Sequence, residues 1–210
     1  MKLVPFFYNE EDDLFANTYL IIDENKDCVV IDPGKDSPTL LRHIEKEQLN
    51  LKAILLTHGH FDHCGGVDIL VDHFHCPLYI GFFDIPQLKD PILNYSKSIR
   101  RKALTVNATP IGVSDNDVLQ LLSEPIQVIE TPFHSEGSVC YYLKDSQMLF
   151  SGDTLFQGGI GRMDLIGGNR KKRKPSLAKL MLLPDDVKVY PGHGKTTSIK
   201  VERNTNPFVK

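Results

Sequence analysis

The chain has 210 residues, of which 41% are hydrophobic and 24% are charged. These proportions match the average of globular chains and exclude the compositions of disordered, collagen-like and membrane-embedded proteins. The formal net charge of -3 excludes the strongly basic balance that is typical of proteins that bind nucleic acids or anionic membranes. We therefore expect neither nucleic acid nor membrane as a partner.

Length, apolar runs and cysteine spacing indicate the kind of protein to expect. Domains average roughly 150 residues, so the length predicts one domain, residues 1–210. No apolar run approaches the ~20 residues of a membrane span, and the first ten residues turn acidic too soon for a signal peptide. A cytoplasmic location is the expectation. Scattered cysteines without CxxC spacing indicate reduced thiols that pack in the core: Cys28, Cys64, Cys76 and Cys140.

The first half of the chain alternates strand and helix patterns. Residues 16–22 and 28–31 are rich in β-branched and aromatic side chains and flank a polar turn, which predicts a β-hairpin. A helix is predicted to begin at Ser37-Pro38, with Leu40, Leu41 and Ile44 on one face. The short apolar run at residues 53–56 is typical of a strand buried on both faces.

The alternation continues through the second half of the chain. A helix is predicted at residues 67–71, after Gly65-Gly66, and a strand at residues 77–80. Residues 89–107 have an irregular pattern and are expected to form a long surface excursion. Further strands are predicted at residues 126–130, 138–143, 148–151 and 187–190, with a helix at about residues 176–183. These elements predict an α/β domain with more strands than a doubly wound sheet needs.

Three histidines and one aspartate follow the strand predicted at residues 53–56: His58, His60, Asp62 and His63. Neutral imidazole and carboxylate are ligands that zinc and related first-row metals prefer. Alternate residues of an extended segment point to the same side, so His58 and His60 can bind one ion. Asp62 and His63, displaced along the turn, could face a second ion. The pattern favours a metal site over a solvated polar loop.

Three further segments place one histidine or aspartate beside a turn residue at the end of a predicted strand. Residues 131–135 contain His134, residues 151–154 contain Asp153, and residues 190–194 contain His193. Each segment alone is typical of an ordinary turn. Because catalytic and ligand-binding loops collect at strand ends in α/β folds, we expect these side chains to join the first cluster.

The sequence resembles the metallo-β-lactamase superfamily and, within it, the glyoxalase II-like hydrolases. The resemblance extends from about Asn17 to Phe208. It depends on five ordered motifs, which are THGHFDH at 57–63, TPFH at 131–134, SGDTLF at 151–156, GRMDL at 161–165 and YPGHG at 190–194. The family has an αββα sandwich fold, in which two mixed β-sheets are flanked by helices and the metals lie at one edge.

This resemblance implies a complete set of ligands for two divalent metal ions, with zinc expected and iron or manganese as alternatives. The first ion would be bound by His58, His60 and His134, and the second by Asp62, His63 and His193, with Asp153 bridging the two. His63 argues against the β-lactamases of the superfamily, and His60 argues against the flavodiiron proteins.

The chemistry that we expect is hydrolysis of a small thioester, most similar to S-lactoylglutathione. A water shared by two divalent ions loses a proton near neutral pH and can attack a bound carbonyl without a protein nucleophile. Asp62 is the expected catalytic residue, which handles the proton. Alternatives are a persulfide dioxygenase with one iron bound by two histidines and one aspartate, a lactonase and, less favoured, a nuclease. A protein that only binds a partner would be expected to lack a ligand.

Several features depart from the family pattern or are left open by it. Because the match stops close to Lys210, we expect no C-terminal helical domain. In the longer glyoxalase II enzymes that domain supplies basic residues for glutathione, so the sequence does not decide whether glutathione is recognised. Arg162 is the candidate contact for an anionic substrate, the alternative being a structural pair with Asp164. The basic run at residues 170–174 is expected to be a solvated loop, or else to line the entrance together with residues 100–102. Other side chains are expected to be surface, packing or second-layer residues: His43, Cys64, His73, His75 and Phe133.

Overall fold

Two six-stranded mixed β-sheets lie face to face in the computed structural model, which describes residues 1–7, 15–35 and 38–209. The strand order is β1-β2-β3-β4-β5-β6 in the first sheet and β14-β13-β10-β9-β8-β7 in the second, and β11 and β12 form a small hairpin. The strands of the first sheet are Lys2–Phe6 (β1), Thr18–Ile22 (β2), Asp27–Ile31 (β3), Asn50–Leu56 (β4), Leu78–Gly81 (β5) and Pro110–Val113 (β6). The remaining strands are Val118–Leu119 (β7), Ile126–Glu130 (β8), Val139–Leu143 (β9), Met148–Gly152 (β10), Leu155–Phe156 (β11), Gly159–Ile160 (β12), Lys188–Pro191 (β13) and Thr197–Ser198 (β14).

Helices cover the outer face of each sheet. On the first sheet, α1 and α3 bury Leu40, Ile44, Val67 and Leu70 in one hydrophobic cluster with the strands. On the second sheet, α4 and α5 bury Leu177, Leu180 and Ile199. Among the described residues, the α-helices are Pro38–Lys46 (α1), Phe61–Cys64 (α2), Val67–Phe74 (α3), Arg170–Met181 (α4) and Ile199–Thr205 (α5). The architecture is therefore the expected αββα sandwich.

The core between the two sheets explains why they stay together. Side chains that alternate along β2, β3 and β4 meet those of β8, β9 and β10. At the centre, the Tyr19 ring lies edge-on to Phe150, with 5.3 Å between ring centroids, and Phe150 stacks on Tyr190 at 5.1 Å. Burial of aromatic rings contributes much of the free energy of such cores.

Most elements of the first half agree with the sequence predictions. Strands β2 and β3 pair antiparallel from Ile22 opposite Cys28, which confirms the hairpin. Helix α1 begins at Pro38, and Ser37 lies outside the described residues. The four cysteines are buried free thiols. Within the described ranges, no helix has both the length and the hydropathy that a membrane span requires.

The basic run is largely exposed, as predicted, but its predicted loop conformation was wrong. Residues 170–174 form the first part of α4 rather than a solvated loop, so the helix begins at Arg170 instead of about Ser176. Asn169 caps the helix, because its side-chain oxygen accepts a hydrogen bond from the Lys171 N–H at 3.0 Å. Burial of Leu177 and Leu180 against the second sheet anchors the helix, and the charged first turns extend from it into solvent.

The surface excursion at residues 89–107 is more ordered than the sequence indicated. It includes a π-helical turn at Ser96–Arg100, and it surrounds Asn94, which is fully buried. The Asn94 side-chain amide donates to the carbonyls of Gln87 and Leu104 at 3.1 and 2.9 Å. Its backbone carbonyl accepts from the Phe61 N–H at 3.0 Å, so the excursion is joined directly to α2.

Candidate metal centre

All seven of the ligand candidates from the sequence meet at one edge of the sandwich. They lie in loops that follow β4, β8, β10 and β13, and in helix α2. Three overlapping groups each have ligand atoms within 4.8 Å of one another, namely His58 with His60 and His134, Asp62 with His63 and His193, and His58 with His63 and Asp153.

The three-histidine group is buried and tightly packed. The Nδ1 atom of His60 lies 3.0 Å from Nε2 of His58 and 3.1 Å from Nε2 of His134. His134 Nδ1 donates to the backbone carbonyl of Arg162 at 2.9 Å, which leaves the lone pair of its Nε2 facing the other two rings. Ring nitrogens that converge in this way provide a site for a cation.

Helix α2 and the loop after β13 provide the second group. The Asp62 Oδ2 atom lies 3.2 Å from Nε2 of His193 and 3.7 Å from Nε2 of His63. Both Asp62 and His193 are part-buried, whereas His63 is fully buried. This side of the cluster therefore faces the open end of the site.

Asp153 reaches both groups with one carboxylate. Its Oδ1 lies 3.3 Å from Nε2 of His63, and its Oδ2 lies 3.6 Å from Nε2 of His134. The preceding residue, Gly152, has a φ of +48°, and a Cβ there would lie 2.2 Å from the Thr57 hydroxyl oxygen. Only glycine fits this turn, which aims Asp153 into the cluster.

The donor set fits a metal ion. The buried Nε2 of His63 and Oδ1 of Asp153 face each other but make no hydrogen bond. A buried polar atom without a partner costs about 1–3 kcal/mol, and a bound cation would remove that cost for both atoms. All the donors are nitrogen or oxygen, a set that suits zinc, iron and manganese. The cluster is therefore suited to metal binding.

The pKa values of His58 and His60 in the first group are lowered, whereas those of His63 and His193 in the second group are raised. Burial, with a smaller contribution from the neighbouring histidines, lowers the pKa of His58 and lowers that of His60 to about 3. These two rings are therefore neutral and able to bind metal at neutral pH. Burial also acts to lower the pKa of His63, but the carboxylates of Asp32, Asp62 and Asp153 outweigh it and raise the pKa. For His193, Asp62 and Asp153 likewise outweigh burial and raise the pKa.

Asp32 directly follows β3 and was not among the site residues predicted from the sequence. The Asp32 side chain is 2% exposed and accepts hydrogen bonds from His63 Nδ1–H at 2.9 Å and from the Thr57 N–H at 2.8 Å. The bond to Nδ1 fixes the tautomer of His63 so that its Nε2 faces the cluster. A carboxylate directly after β3, which pairs in parallel with β4, was the available signal.

A cavity of about 410 Å³ opens onto the cluster. Its floor consists of polar ligand candidates, including Asp62 and Asp153. Its walls are largely apolar and are formed by Phe61, Tyr95, Ile99, Phe156, Ile160 and Leu165. This combination is typical of a site for a small organic molecule.

Two segments that are distant in sequence contribute to the walls. Tyr95 and Ile99 come from the excursion, and the ring centroid of Tyr95 lies 5.3 Å from that of His60. Leu165 comes from the loop before α4. The Tyr95 hydroxyl accepts a hydrogen bond from the Ile166 N–H, which joins the two walls. The excursion therefore forms part of the site, which the sequence did not predict.

The position of Arg162 is compatible with both roles that the sequence left open, a contact for an anionic substrate and an ion pair with Asp164. It lines the cavity, and its guanidinium also forms two hydrogen bonds of 2.8 Å to the carboxylate of Asp164. Both side chains are more than half exposed. The hydrogen bonds to Asp164 raise the pKa of Arg162, and it carries a full positive charge at the cavity wall.

The other side chains that the sequence singled out lie outside the cluster. Burial raises the pKa of the Cys64 thiol, which contacts the Gly59 carbonyl, and Phe133 is buried under the second sheet. His73 pairs with Glu45, and His43 packs edge-on against Phe6. His75 ends α3 in a left-handed conformation. Among the described residues that line the cavity, none belongs to the two basic runs, 100–102 and 170–174.

Comparisons with known proteins agree with this architecture. The family model described as "Metallo-beta-lactamase superfamily" matches residues 12–193. The probable metallo-hydrolase YqgX of Bacillus subtilis (strain 168) is 38% identical to the chain, and the alignment covers 92% of each. The hydroxyacylglutathione hydrolase GloC of Haemophilus influenzae is 33% identical, also over 92% of each chain.

Superposition on solved structures indicates the same fold. The protein described as BLEG-1 B3 metallo-beta-lactamase superposes with a TM-score of 0.92 at 36% identity over 100% of both chains. TTHA1623, described in a di-iron-bound form, has a TM-score of 0.82 at 35% identity, with 98% of this chain and 99% of that one covered. ETHE1 from Myxococcus xanthus has a TM-score of 0.77 at 28% identity, with 99% and 84% covered.

Proposed function

The chain belongs to the metallo-β-lactamase superfamily, and from that premise we propose that it is a hydrolase with two metal ions that cleaves small thioesters such as S-lactoylglutathione. The observation that carries this proposal is the position of Asp153. One carboxylate lies within 3.6 Å of a histidine in each of two adjacent ligand groups, which supports a bridging role.

In this proposal the two groups divide the ligands. His58, His60 and His134 hold the first ion, and Asp62, His63 and His193 hold the second. Zinc is the proposed metal, and iron is the main alternative, supported by the relative with a di-iron-bound form. Divalent ions held by these residues would lower the pKa of a bound water to near 7 and would stabilise negative charge on a carbonyl oxygen.

The protein's own residues then bind the substrate and move the proton. Asp62 lines the cavity, and His63 and His193 oppose the effect of burial and lower the pKa of its carboxyl. It is therefore ionised at neutral pH and can accept the proton of the attacking water. As the water oxygen bonds to the acyl carbon and the C–S bond breaks, Asp62 returns the proton to the leaving thiolate. The apolar walls orient the acyl group and exclude other water.

A thioester fits this site better than an amide for a chemical reason. A thiolate leaves without prior protonation, whereas an amine needs a general acid at its nitrogen. GloC, named a hydroxyacylglutathione hydrolase, supports a glutathione thioester as the first substrate to test. The cavity of about 410 Å³ lies in the range of small-ligand sites.

A second candidate function is an iron-dependent persulfide dioxygenase. The group of His58, His63 and Asp153 consists of two histidines and one carboxylate, the set that non-haem iron oxygenases use. The similarity to BLEG-1 also means that the sequence argument against a β-lactamase needs a direct test.

The deciding experiment measures four reactions with protein loaded with zinc, iron or manganese. Thiol release from S-lactoylglutathione is expected, with turnover that disappears on metal removal and returns on reloading. Oxygen consumption with glutathione persulfide by the iron form alone would favour the dioxygenase. Hydrolysis of a chromogenic cephalosporin or of a lactone, without thioester turnover, would contradict the proposed substrate class.

Arg162 is the proposed contact for an anionic part of the substrate, and its replacement tests that role. The Arg162→Ala variant is expected to raise KM for S-lactoylglutathione about 5- to 10-fold with little change in kcat, because one exposed charge contact of about 1 kcal/mol is lost. KM for an uncharged thioester should stay the same. Steady-state kinetics with both substrates provide the measurement.

Asp164→Ala distinguishes this role from a structural ion pair. It leaves Arg162 in place without its partner, so KM for the glutathione thioester should not rise. Equal effects of Arg162→Ala and Asp164→Ala on both substrates would indicate that the pair only stabilises the loop. Lys174→Ala, in a residue outside the cavity lining, serves as the charge control.

A further inference from the structure

Asp84 is a fully buried carboxylate for which the proposed chemistry has no use. It lies in the 3₁₀ segment Phe82–Leu88, directly after β5. Its two oxygens accept hydrogen bonds from four donors. No lysine, arginine or histidine among the described residues lies within ion-pair distance of it. The carboxylate therefore depends on neutral donors for its stability.

Three of these four donors belong to the two loops that carry the three-histidine group, and the fourth, Gln87, lies in the 3₁₀ segment itself. Oδ2 of Asp84 accepts from the Gly59 N–H at 3.1 Å and from the Ser135 hydroxyl at 2.6 Å. Gly59 lies between His58 and His60, and Ser135 follows His134. A single oxygen atom thus joins the loop after β4 to the loop after β8, which are separated by about 75 residues in sequence.

The other oxygen strengthens the same connection. Oδ1 accepts from the Gly137 N–H at 2.7 Å and from the Gln87 side-chain amide at 3.0 Å. A Cβ on Gly137 would lie 2.3 Å from the Asp84 backbone nitrogen, so the loop after His134 packs directly against the 3₁₀ segment. Neither loop can move relative to the other without loss of hydrogen bonds to this carboxylate.

The energetics indicate that the arrangement is costly. Burial raises the pKa of Asp84, and the bonds from Ser135, Gly137 and Gly59 oppose that effect. A buried carboxylate without a cation is retained only where its hydrogen bonds are satisfied. Loss of its acceptor capacity leaves donors of the two loops buried without partners, which destabilises their arrangement.

We propose that Asp84 is a positioning residue that sets the spacing between His134 and the pair His58 and His60, and thereby the affinity of the first metal ion. The inference depends on the proposed function only in that this group binds a metal. In this proposal, Asp84 positions the first ligand group in the way that Asp32 orients His63.

Asp84→Asn tests this role with little change in shape. The amide has one acceptor oxygen, and its NH₂ group cannot accept from Gly59 and Ser135 or from Gly137 and Gln87. We expect one of the two cobalt(II) ions of the reloaded protein to bind about 10- to 100-fold more weakly, as measured by chelator competition. The visible absorption spectrum of the cobalt form should change as well.

Glu124→Gln is the matched control. Glu124 is 6% exposed, and its carboxylate also accepts backbone N–H bonds, from Asp145 and Ser146. It lies near the opposite end of β8 from His134. This variant should lower the melting temperature without any change in cobalt affinity or spectrum.

Two further variants assign the effect to the correct group. In a His193→Ala background, where the three-histidine group is still complete, Asp84→Asn should weaken the remaining ion by the same factor. Ser135→Ala keeps the carboxylate and removes its shortest hydrogen bond, together with the bond between the hydroxyls of Ser135 and Ser138. It should lower the affinity for the same ion about 5-fold, the equivalent of one hydrogen bond of about 1 kcal/mol. If Asp84→Asn does not fold, this variant tests the role of Asp84 in its place.

The outcomes separate the two proposals. Wild-type protein that binds no cobalt would contradict the proposed function and this inference together. Wild-type protein that binds two ions, with unchanged affinities and spectrum in Asp84→Asn, would overturn the role of Asp84 alone. An equal loss of cobalt in Glu124→Gln would also overturn it, because the effect would then be one of general stability.

Discussion

Replacement of Asp153 with alanine is expected to lower kcat/KM for S-lactoylglutathione by at least about 10³-fold, which corresponds to about 4 kcal/mol of transition-state stabilisation. Its carboxylate is the group that approaches histidines of both ligand sets, at 3.3 and 3.6 Å. Without it, each proposed ion loses a ligand, and the two ions lose the negative charge between them. Measurements of thiol release and of metal content per chain test this expectation.

A matched control separates the loss of the bridge from the loss of a carboxylate in general. Asp186→Ala removes an exposed aspartate near the start of β13 and should leave both measurements unchanged. Retention of two ions and of most of the activity in Asp153→Ala would contradict the bridging role. The thioester function itself would survive that result.

Asp32→Ala is expected to lower the free energy of unfolding by about 3–5 kcal/mol, because it breaks a buried pair and leaves His63 without its partner. Asp32 accepts from His63 at 2.9 Å and from the Thr57 backbone and hydroxyl at 2.8 and 2.7 Å. With the ring of His63 no longer fixed, the second group should bind its ion about 10- to 100-fold more weakly. Urea unfolding and chelator competition provide the two measurements.

Asp23→Ala is the control for this variant. Asp23 is also buried and accepts backbone N–H bonds, from Asn25, Asp27 and Ser123, but it lies at the other end of the β2–β3 hairpin. It should lose stability and keep both ions. If Asp32→Ala bound metal as tightly as Asp23→Ala does, the orienting role of Asp32 would be wrong.

The proposed ligands and the buried carboxylates Asp32 and Asp84 differ in how far the sequence could predict them. The strand-end histidines and Asp153 carry a local signal, because each lies in a short segment that contains Gly or Pro and follows an apolar run. The contacts of Asp32 and Asp84 with the ligand loops join residues 31 and 51 positions apart. No local period encodes such contacts, so sequence patterns could not identify them.

The start of α4 and the excursion were missed for a related reason. Pro175 has a low helix propensity, and five successive cations repel one another and oppose the helix dipole at its N-terminus. Burial of Leu177 and Leu180 against the second sheet outweighs these effects. The excursion is irregular in sequence. It becomes a cavity wall only because Asn94 bonds to α2 and Tyr95 bonds to the Ile166 backbone.

By itself, the sequence determined an α/β domain rich in strands and the seven candidate ligands, because hydrophobic periodicity and turn chemistry are local properties of the chain. The αββα arrangement of those elements was implied by the resemblance to the family. Only the tertiary structure decided the distances between those ligands, which buried carboxylates orient them, and which segments enclose the cavity. These features depend on distances between residues that are far apart in the chain, and packing of the two sheets fixes those distances.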